Sequence, residues 1–210
     1  RSDVESEING MGPVIRKEDL ELLYEQLDTL KDDDVLVLAG SIPSGMPQSI
    51  YRDIMSRLQS KRIKIAVDAT KDLLMNVLAY HPFVIKPNNH ELSEIFDVTI
   101  DSKEKAVVYA KELQKKGAQN VIVSMAGEGA VFVGSDGSVF TSEAPHGVVK
   151  NSVGAGDSMV AGFLAGYLAK GDYAEAFKMG LCTGSASAFS DQLATREEVE
   201  QVRRSHIFDF

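Results

Sequence analysis

The chain has 210 residues, of which 44% are hydrophobic and 25% charged, the balance of a folded globular protein rather than a disordered one. Lysine and arginine total 22 against 31 aspartates and glutamates, so the net charge of −9 argues against a nucleic-acid-binding surface. No apolar stretch is long enough to cross a membrane, the first residues show no signal-peptide core, and the single cysteine excludes a disulfide framework. We therefore expect a cytoplasmic protein that acts on small molecules, with neither nucleic acid nor a membrane as partner.

Two kinds of apolar spacing alternate along much of the chain. Short continuous apolar runs are typical of strands buried on both faces, whereas spacing at three and four residues indicates helices. The runs are Val35–Ala39, Ile63–Val67, Phe83–Ile85 and Val121–Val123, and the helical stretches span 20–30, 50–58 and 107–113. This alternation predicts βαβ units and an α/β fold with a mainly parallel central sheet.

The pattern changes after residue 124. An Asp-Gly turn between two apolar segments predicts a hairpin, and three helices are predicted to follow it. The hairpin strands are 130–133 and 138–140, and the helices are 155–170, 173–189 and one that begins at Thr195 with Glu198 completing a capping box. At the other end of the chain, Val4–Ile8 alternates like a solvent-facing edge strand.

The segment most informative about function is Asn151–Ser158, which leads directly into an apolar helix. Gly154 and Gly156 let backbone N–H groups converge on a ligand, and the first turn of a helix favours an anion such as phosphate. A carboxylate at Asp157 would repel that anion, so it suits a base that orients an attacking hydroxyl and takes its proton. The alternative is an ordinary helix start, with glycines for close packing and the aspartate facing the helix dipole.

Residues 151–164 resemble the second signature of the pfkB, or ribokinase-like, carbohydrate kinases. Three further segments resemble motifs of that family in the same order: Gly-Ser-Ile-Pro at 40–43, Lys-Pro-Asn-Asn-His-Glu at 86–91 and Ser-Met-Ala-Gly-Glu-Gly at 124–129. Ala126 replaces the more usual first glycine of the last motif. The resemblance implies a three-layer αβα fold with a β-strand lid, and ATP and Mg²⁺ as cofactors.

The resemblance also implies a role for each matching residue. Catalysis falls to Asp157 as the base and to Gly154, Ala155 and Gly156 as the anion hole. The implied nucleotide-binding residues are Lys86, Asn88, Ser124, Gly127, Gly129 and Ser187, the substrate residues are Asp157, Gly40 and Ser41, and the magnesium residues, acting through water, are Asn88 and Glu91. The implied reaction is ATP-dependent phosphorylation of fructose 1-phosphate to fructose 1,6-bisphosphate. Tagatose-6-phosphate kinase is the alternative within the family.

Several of these residues have simpler interpretations. Asn88 to Glu91 would also cap a short helix, and the glycines at 127 and 129 would also serve a hairpin turn. Asp68, at the end of a predicted strand, suits either a ligand site or a cap. Cys182 lies in an apolar helix and is predicted to be a buried, inert thiol.

The resemblance makes residues 1–10 the last strand of the lid and 11–210 an α/β domain without its N-terminal part. Family members begin with Asn-Pro-x-x-Asp and Gly-Gly-Lys-Gly-x-Asn segments, and neither occurs in this sequence. A nucleotide-binding fragment without activity of its own is therefore an alternative of a different class. An exposed lid strand also predicts a homodimer formed through that strand.

Overall fold

The computed structural model describes residues 12–43 and 45–210, which form eight α-helices and six strands. The strands are β1 (Val35–Ala39), β2 (Lys64–Asp68), β3 (Val84–Ile85), β4 (Asn120–Ser124), β5 (Ala130–Val133) and β6 (Val139–Ser142). The helices are α1 (Lys17–Asp28), α2 (Ile50–Leu58), α3 (Lys71–Met75), α4 (Asn89–Phe96), α5 (Lys103–Lys115), α6 (Ala155–Lys170), α7 (Tyr173–Phe189) and α8 (Arg196–Ser205). The predicted lid strand at residues 1–10 lies outside the described residues.

All six strands form one sheet in chain order. β1 to β4 are parallel, and β5 and β6 extend the sheet in antiparallel fashion. The predicted mainly parallel sheet and the hairpin of β5 and β6 are thus confirmed. Because the carboxyl ends of parallel strands share one edge, the loops that follow β1 to β4 emerge together.

Helices cover the sheet on both faces, which makes three layers. On one face, buried side chains of α2, α4 and α5 pack against inward-facing strand residues such as Leu38, Val67 and Val121. On the other face, α6 and α7 cover Phe83, Ile122 and Phe132. The three-layer αβα fold is confirmed, with both cores formed by apolar residues that alternate along the strands.

The helices α6 and α7 are predicted correctly to the residue and pack closely against each other. Small residues at their contact allow this approach: a Cβ added to Gly184 would lie 3.0 Å from the carbonyl oxygen of Ala155. Phe132 packs against this pair, with its ring centroid 5.4 Å from Phe163 and 5.9 Å from Phe177. Helix α6, which starts within the Gly-Ala-Gly-Asp loop, is therefore fixed within the core.

The sequence misses two features of the fold. The apolar run of β1 predicts burial on both faces, but β1 lies at the edge of the described sheet and the side chain of Val37 is 45% exposed. The short helix α3 is not predicted, because five residues carry too little periodicity to identify it. Among the described residues, no helix is both long enough and apolar enough to span a bilayer.

Cys182 is fully buried in α7, and burial raises the pKa of its thiol to about 11. Since the thiolate is the reactive form, we expect the folded protein to react with a disulfide reagent at pH 8 at least about 10²-fold more slowly than free cysteine. A colorimetric thiol assay with and without denaturant measures this difference. Equal rates in both conditions would contradict the buried, inert thiol.

Candidate active site

The carboxyl edge of the parallel strands brings the predicted motif residues together. The register pairs Ala39 with Asp68 at the ends of β1 and β2, and the backbone N–H of Gly40 donates to the carbonyl oxygen of Asp68 at 3.1 Å. Further along the same edge, Asn88 forms an isolated parallel bridge with Ser124, just beyond the end of β3. Three of the four motifs therefore start at the carboxyl ends of strands in one parallel sheet, those of β1, β3 and β4.

Gly40 and Ser41, the implied substrate residues, are exposed at this edge. Gly40 has a φ of +83°, and a Cβ at this position would meet no atom of the described residues within 4 Å. The Tyr51 hydroxyl holds the turn by donating to the carbonyl oxygen of Ala39 at 2.6 Å. The turn thus presents an open, polar surface beside the end of β2.

A buried ion pair lies in the middle of the edge. The Lys86 Nζ is 3.2 Å from an Asp68 carboxylate oxygen, and the two side chains are only 8% and 18% exposed. Burial raises the pKa of Asp68, Lys86 opposes this, and the negative charge of Asp157 raises the pKa further. Asp68 and Asp157 are therefore within electrostatic reach of each other.

The Gly-Ala-Gly-Asp loop lies directly against this ion pair. A Cβ built on Gly156 would be 3.1 Å from the Lys86 Nζ and 4.0 Å from an Asp68 carboxylate oxygen. Gly154, the N-cap of α6, has a φ of +78°, which favours glycine. Within the described part of the chain, the N–H groups of Gly156 and Asp157 have no hydrogen-bond acceptor. The Lys86 side chain and two N–H groups without an acceptor thus lie at the same loop, and an anion site requires both kinds of group.

Asp157 is exposed on the first turn of α6, and its carboxylate has no hydrogen-bond or ion-pair partner among residues 12–43 and 45–210. A free carboxylate beside an anion site is costly as a binding group, since like charges repel. It is suited to accept a proton from a hydroxyl that attacks the bound group. The placement is that expected of the implied catalytic base, whose role remains a prediction.

Helix α7 and the loop after it contact the Gly-Ala-Gly-Asp loop and the first turn of α6. The Ser187 hydroxyl donates to the Ser158 hydroxyl at 2.9 Å and accepts the N–H of Ala194 at 3.1 Å. The same loop places Leu193 over Gly154, where an added Cβ would lie 2.9 Å from a Leu193 methyl group. Ser187 is only 3% exposed. The nucleotide contact that the resemblance implies for Ser187 stays a prediction, and in this structure its hydroxyl hydrogen-bonds with Ser158 and Ala194.

Asn88 and Glu91 form a reciprocal capping box at the start of α4, with both hydrogen bonds 2.8 Å long. The capping interpretation of these residues is confirmed. It does not conflict with a magnesium role, because one carboxylate oxygen of the partly exposed Glu91 has no partner within the described part of the chain. Across the described residues, no group of three or more His, Cys, Asp or Glu side chains could hold a metal. The residues therefore fit Mg²⁺ held by few protein ligands and several waters.

The segment from Ser124 to Gly129 connects β4 to the antiparallel β5, so its glycines do serve a tight connection. Gly127 is exposed and Gly129 is buried. Ala126, which stands where the family motif usually has glycine, has a left-handed φ of +48°. The backbone at this position thus keeps the conformation that glycine favours, although the residue is alanine.

We expect Ala126→Gly to stabilise the protein by about 0.5–1 kcal/mol. A left-handed alanine costs about 1–2 kcal/mol, and the greater backbone entropy of unfolded glycine offsets part of the gain. Urea denaturation measures the change. Ala110→Gly, in the middle of α5, is the matched control and should destabilise, since glycine is unfavourable there. A loss of stability in Ala126→Gly would contradict this prediction.

Asp68 is the site residue whose importance the sequence does not resolve. Its position at the end of a strand indicates a ligand site or a cap, and only the fold shows that Lys86 pairs with it beneath Gly156. The available signal in the sequence is that β2 ends in aspartate and that lysine directly follows its neighbour β3. Chemically, the site combines a glycine-containing loop at a helix start, a buried lysine and a carboxylate without a partner among the described residues, and these are the elements that phosphoryl-group transfer uses.

Comparison with known proteins decides the family. The profile of the family described as pfkB family carbohydrate kinase matches residues 1–198. The chain belongs to the pfkB family of carbohydrate kinases. It is 45% identical over 198 residues to 1-phosphofructokinase of Bacillus subtilis, covering 94% of this chain and 65% of the relative. It is also 28% identical over 198 residues to D-tagatose-1-phosphate kinase of Bacillus licheniformis, covering 94% of the chain and 65% of that relative. The pfkB chain thus spans just under two thirds of the length of these relatives.

Solved structures agree with this assignment. A candidate phosphofructokinase of Staphylococcus aureus superposes with a TM-score of 0.88 at 38% identity, covering 98% of the pfkB chain and 67% of the neighbour. Escherichia coli phosphofructokinase-2, solved with substrates and products, superposes with a TM-score of 0.86 at 26% identity, covering 93% of the chain and 64% of the neighbour. Both comparisons support the ribokinase-like fold that the motifs implied.

Proposed function

We propose that this pfkB-family chain carries the phosphoryl-transfer centre of a kinase that converts fructose 1-phosphate and ATP to fructose 1,6-bisphosphate and ADP. The observation that carries the proposal is the placement of the Gly154–Asp157 loop against the buried Lys86, with a free carboxylate on its first turn. The 45% identity to a 1-phosphofructokinase supports this substrate.

In the proposed reaction, the sugar 6-hydroxyl oxygen forms a bond to the terminal phosphorus of ATP while the bond to the bridging oxygen breaks. Asp157 accepts the hydroxyl proton, and the departing pair of electrons stays on ADP. The free N–H groups of Gly156 and Asp157, together with Lys86, stabilise the charge on the transferring group. Gly40 and Ser41 lie at the same edge and would contact the sugar.

Asn88 and Glu91 would hold Mg²⁺ through water, and Ser124, Gly127 and Gly129 would contact the nucleotide. When bound, the metal would neutralise charge on the phosphates of ATP. Such a reaction depends on ATP and a sugar phosphate, which are metabolites of the cytoplasm, so we propose that location for the protein.

Tagatose phosphates should be compared directly with fructose 1-phosphate as substrates, because one relative, at 28% identity, is a D-tagatose-1-phosphate kinase. A coupled assay of ADP release should use fructose 1-phosphate, fructose 6-phosphate, tagatose 1-phosphate and tagatose 6-phosphate at equal concentrations. We expect fructose 1-phosphate to give the highest kcat/KM. A higher value for any other sugar would overturn the proposed substrate.

The assay should compare two proteins. One is the 210-residue chain, and the other is a chimera that joins this chain to the part of Bacillus subtilis 1-phosphofructokinase that does not align with it. Turnover only in the chimera would support an α/β domain that lacks part of its sugar site. Equal turnover in both proteins would contradict it. Nucleotide binding without turnover in either protein would favour the nucleotide-binding fragment.

A homodimer through the strand predicted at residues 1–10 remains part of the proposal. The alternation of Val4–Ile8 supports it, since unpaired strand edges readily pair between copies. Light scattering of the chain with and without residues 1–10 tests it, and an unchanged mass would contradict it.

A further inference from the structure

Asp68 is an unexpected residue in an anion site. Its carboxylate lies 4.0 Å from the Cβ position of Gly156, close to the loop that is proposed to bind phosphate. It pairs with Lys86, whose Nζ is 3.1 Å from a Cβ built on Gly156. Lys86 is thus already paired when no ligand is bound.

Among residues 12–43 and 45–210, Lys86 is the one cation that interacts with Asp68. The charged or titratable groups that interact with it are Lys86 from the segment after β3, Asp157 from α6 and Tyr51 from α2. Asp157 adds a like charge, and the Tyr51 hydroxyl donates to the backbone at Ala39 and Gly40 rather than to Asp68. Asp68 therefore depends on Lys86 for its counter-charge.

A phosphate bound at the free amides of Gly156 and Asp157 would meet the same ammonium group. Lys86 Nζ is 3.1 Å from the Cβ position of Gly156, so it lies against the loop and within short reach of an anion there. A lysine has three donors on a flexible stem and can exchange one oxygen partner for another without moving the backbone. Carboxylate and phosphate would thus compete for one lysine.

We propose that Asp68 is a built-in competitor of the phosphate: its carboxylate holds Lys86 while the loop is empty and releases Lys86 when a phosphoryl group binds. Asp68 is thus a positioning residue that acts through Lys86 and limits the affinity of the site for anions. The proposal rests on the proposed function, in that it takes the loop as a phosphate site, and it concerns the regulation of that site.

The competition has a distinctive consequence for Asp68→Asn. The variant keeps the shape of the side chain and an oxygen acceptor for Lys86, but it removes the competing charge. A residue that merely supports the fold would weaken ligand binding when changed. A competitor strengthens it, and at the effective dielectric of a partly buried site we expect about tenfold tighter anion binding.

Inorganic sulfate is a suitable probe because its charge does not change with pH near neutrality. Its dissociation constant is measured from the rise in melting temperature of the whole chain with sulfate, at an ionic strength held constant with sodium chloride. Wild type, Asp68→Asn, Lys86→Met and Asp101→Asn are compared. Asp101 pairs with Lys105 on the surface, so its variant matches the change in net charge.

We expect Asp68→Asn to bind sulfate about tenfold more tightly than wild type. Asp101→Asn should resemble wild type, and Lys86→Met should lose most of the response. Binding in Asp68→Asn that is equal to or weaker than in wild type would overturn the proposal. So would the absence of any sulfate response in all four proteins.

A measurement on wild type does not depend on Asp68→Asn, in which the buried Lys86 has lost its negatively charged partner. The ¹³C resonance of the Asp68 side-chain carboxyl should shift as sulfate saturates the site, because the carboxylate loses its ammonium partner. A resonance that stays constant through saturation would contradict the exchange. Neither experiment requires turnover, so failure to phosphorylate fructose 1-phosphate would overturn the proposed function without changing these results, and the reverse also holds.

Discussion

Asp157→Asn is expected to lower phosphoryl transfer by about 10²–10⁴-fold, the usual contribution of a positioned general base. The amide keeps the shape of the side chain but cannot accept the proton of an attacking hydroxyl. The carboxylate has no hydrogen bond or ion pair with another described residue, so its loss should leave the fold intact. Nucleotide should bind at least as tightly as before, because a negative charge near the phosphates is removed.

The separation of these two effects gives the test its specificity. ADP release is measured in whichever protein shows turnover, the 210-residue chain or the chimera. ATP affinity is measured by calorimetry on the same protein. Asp191→Asn serves as the matched control, since Asp191 forms only an exposed ion pair with Lys150 at 3.4 Å. Turnover in Asp157→Asn within a few fold of wild type would show that another group accepts the proton.

Gly129→Ala is expected to destabilise the protein by at least about 3 kcal/mol, since it combines backbone strain with overpacking. Gly129 has a φ of +90°, and an added Cβ would lie 2.0 Å from the carbonyl oxygen of Ser142. The obstructing atoms are backbone atoms at the end of β6, which cannot rotate away. The segment from Ser124 to Gly129 and β6 would have to separate.

Gly127→Ala provides the control for this variant. Gly127 lies two residues away in the same segment, and a Cβ there would meet no atom within 4 Å. Its effect on the free energy of unfolding should stay within about 1 kcal/mol. Urea denaturation of both variants measures the difference. Similar losses in the two would show that the segment tolerates the contact with Ser142 and that strain at Gly129 is small.

Elements of the fold were predictable where the apolar pattern extends over many residues or where capping residues mark the start of a helix. The bounds of α6 and α7 follow from extended apolar and small-residue patterns, and α8 begins at the capping box of Thr195 and Glu198. The burial of β1 was wrong because an apolar run does not reveal its place in the sheet. Val37 lies in an apolar run of the kind found in central strands, but β1 is the outermost strand of the described sheet.

The candidate site was predictable to the level of single loops but not to the level of pairs. Gly154–Asp157 is visible because glycines and an aspartate at a helix start carry their chemistry locally. The pair of Asp68 and Lys86 depends on two strands lying side by side, which residues 18 positions apart do not disclose. The hydrogen bond between Ser187 and Ser158 is equally invisible in the sequence, because it joins residues 29 positions apart on two packed helices.

The order of the elements along the chain also determines when the site can form during synthesis. The face of the sheet that carries Phe83, Ile122 and Phe132 is covered by α6 and α7, which lie in the last third of the sequence. Until those helices leave the ribosome, a wide apolar surface has no cover and is a target for chaperones and for aggregation. The loop that is proposed to hold phosphate opens α6, so we expect the core to be covered and the proposed site to be completed at the same late stage of synthesis.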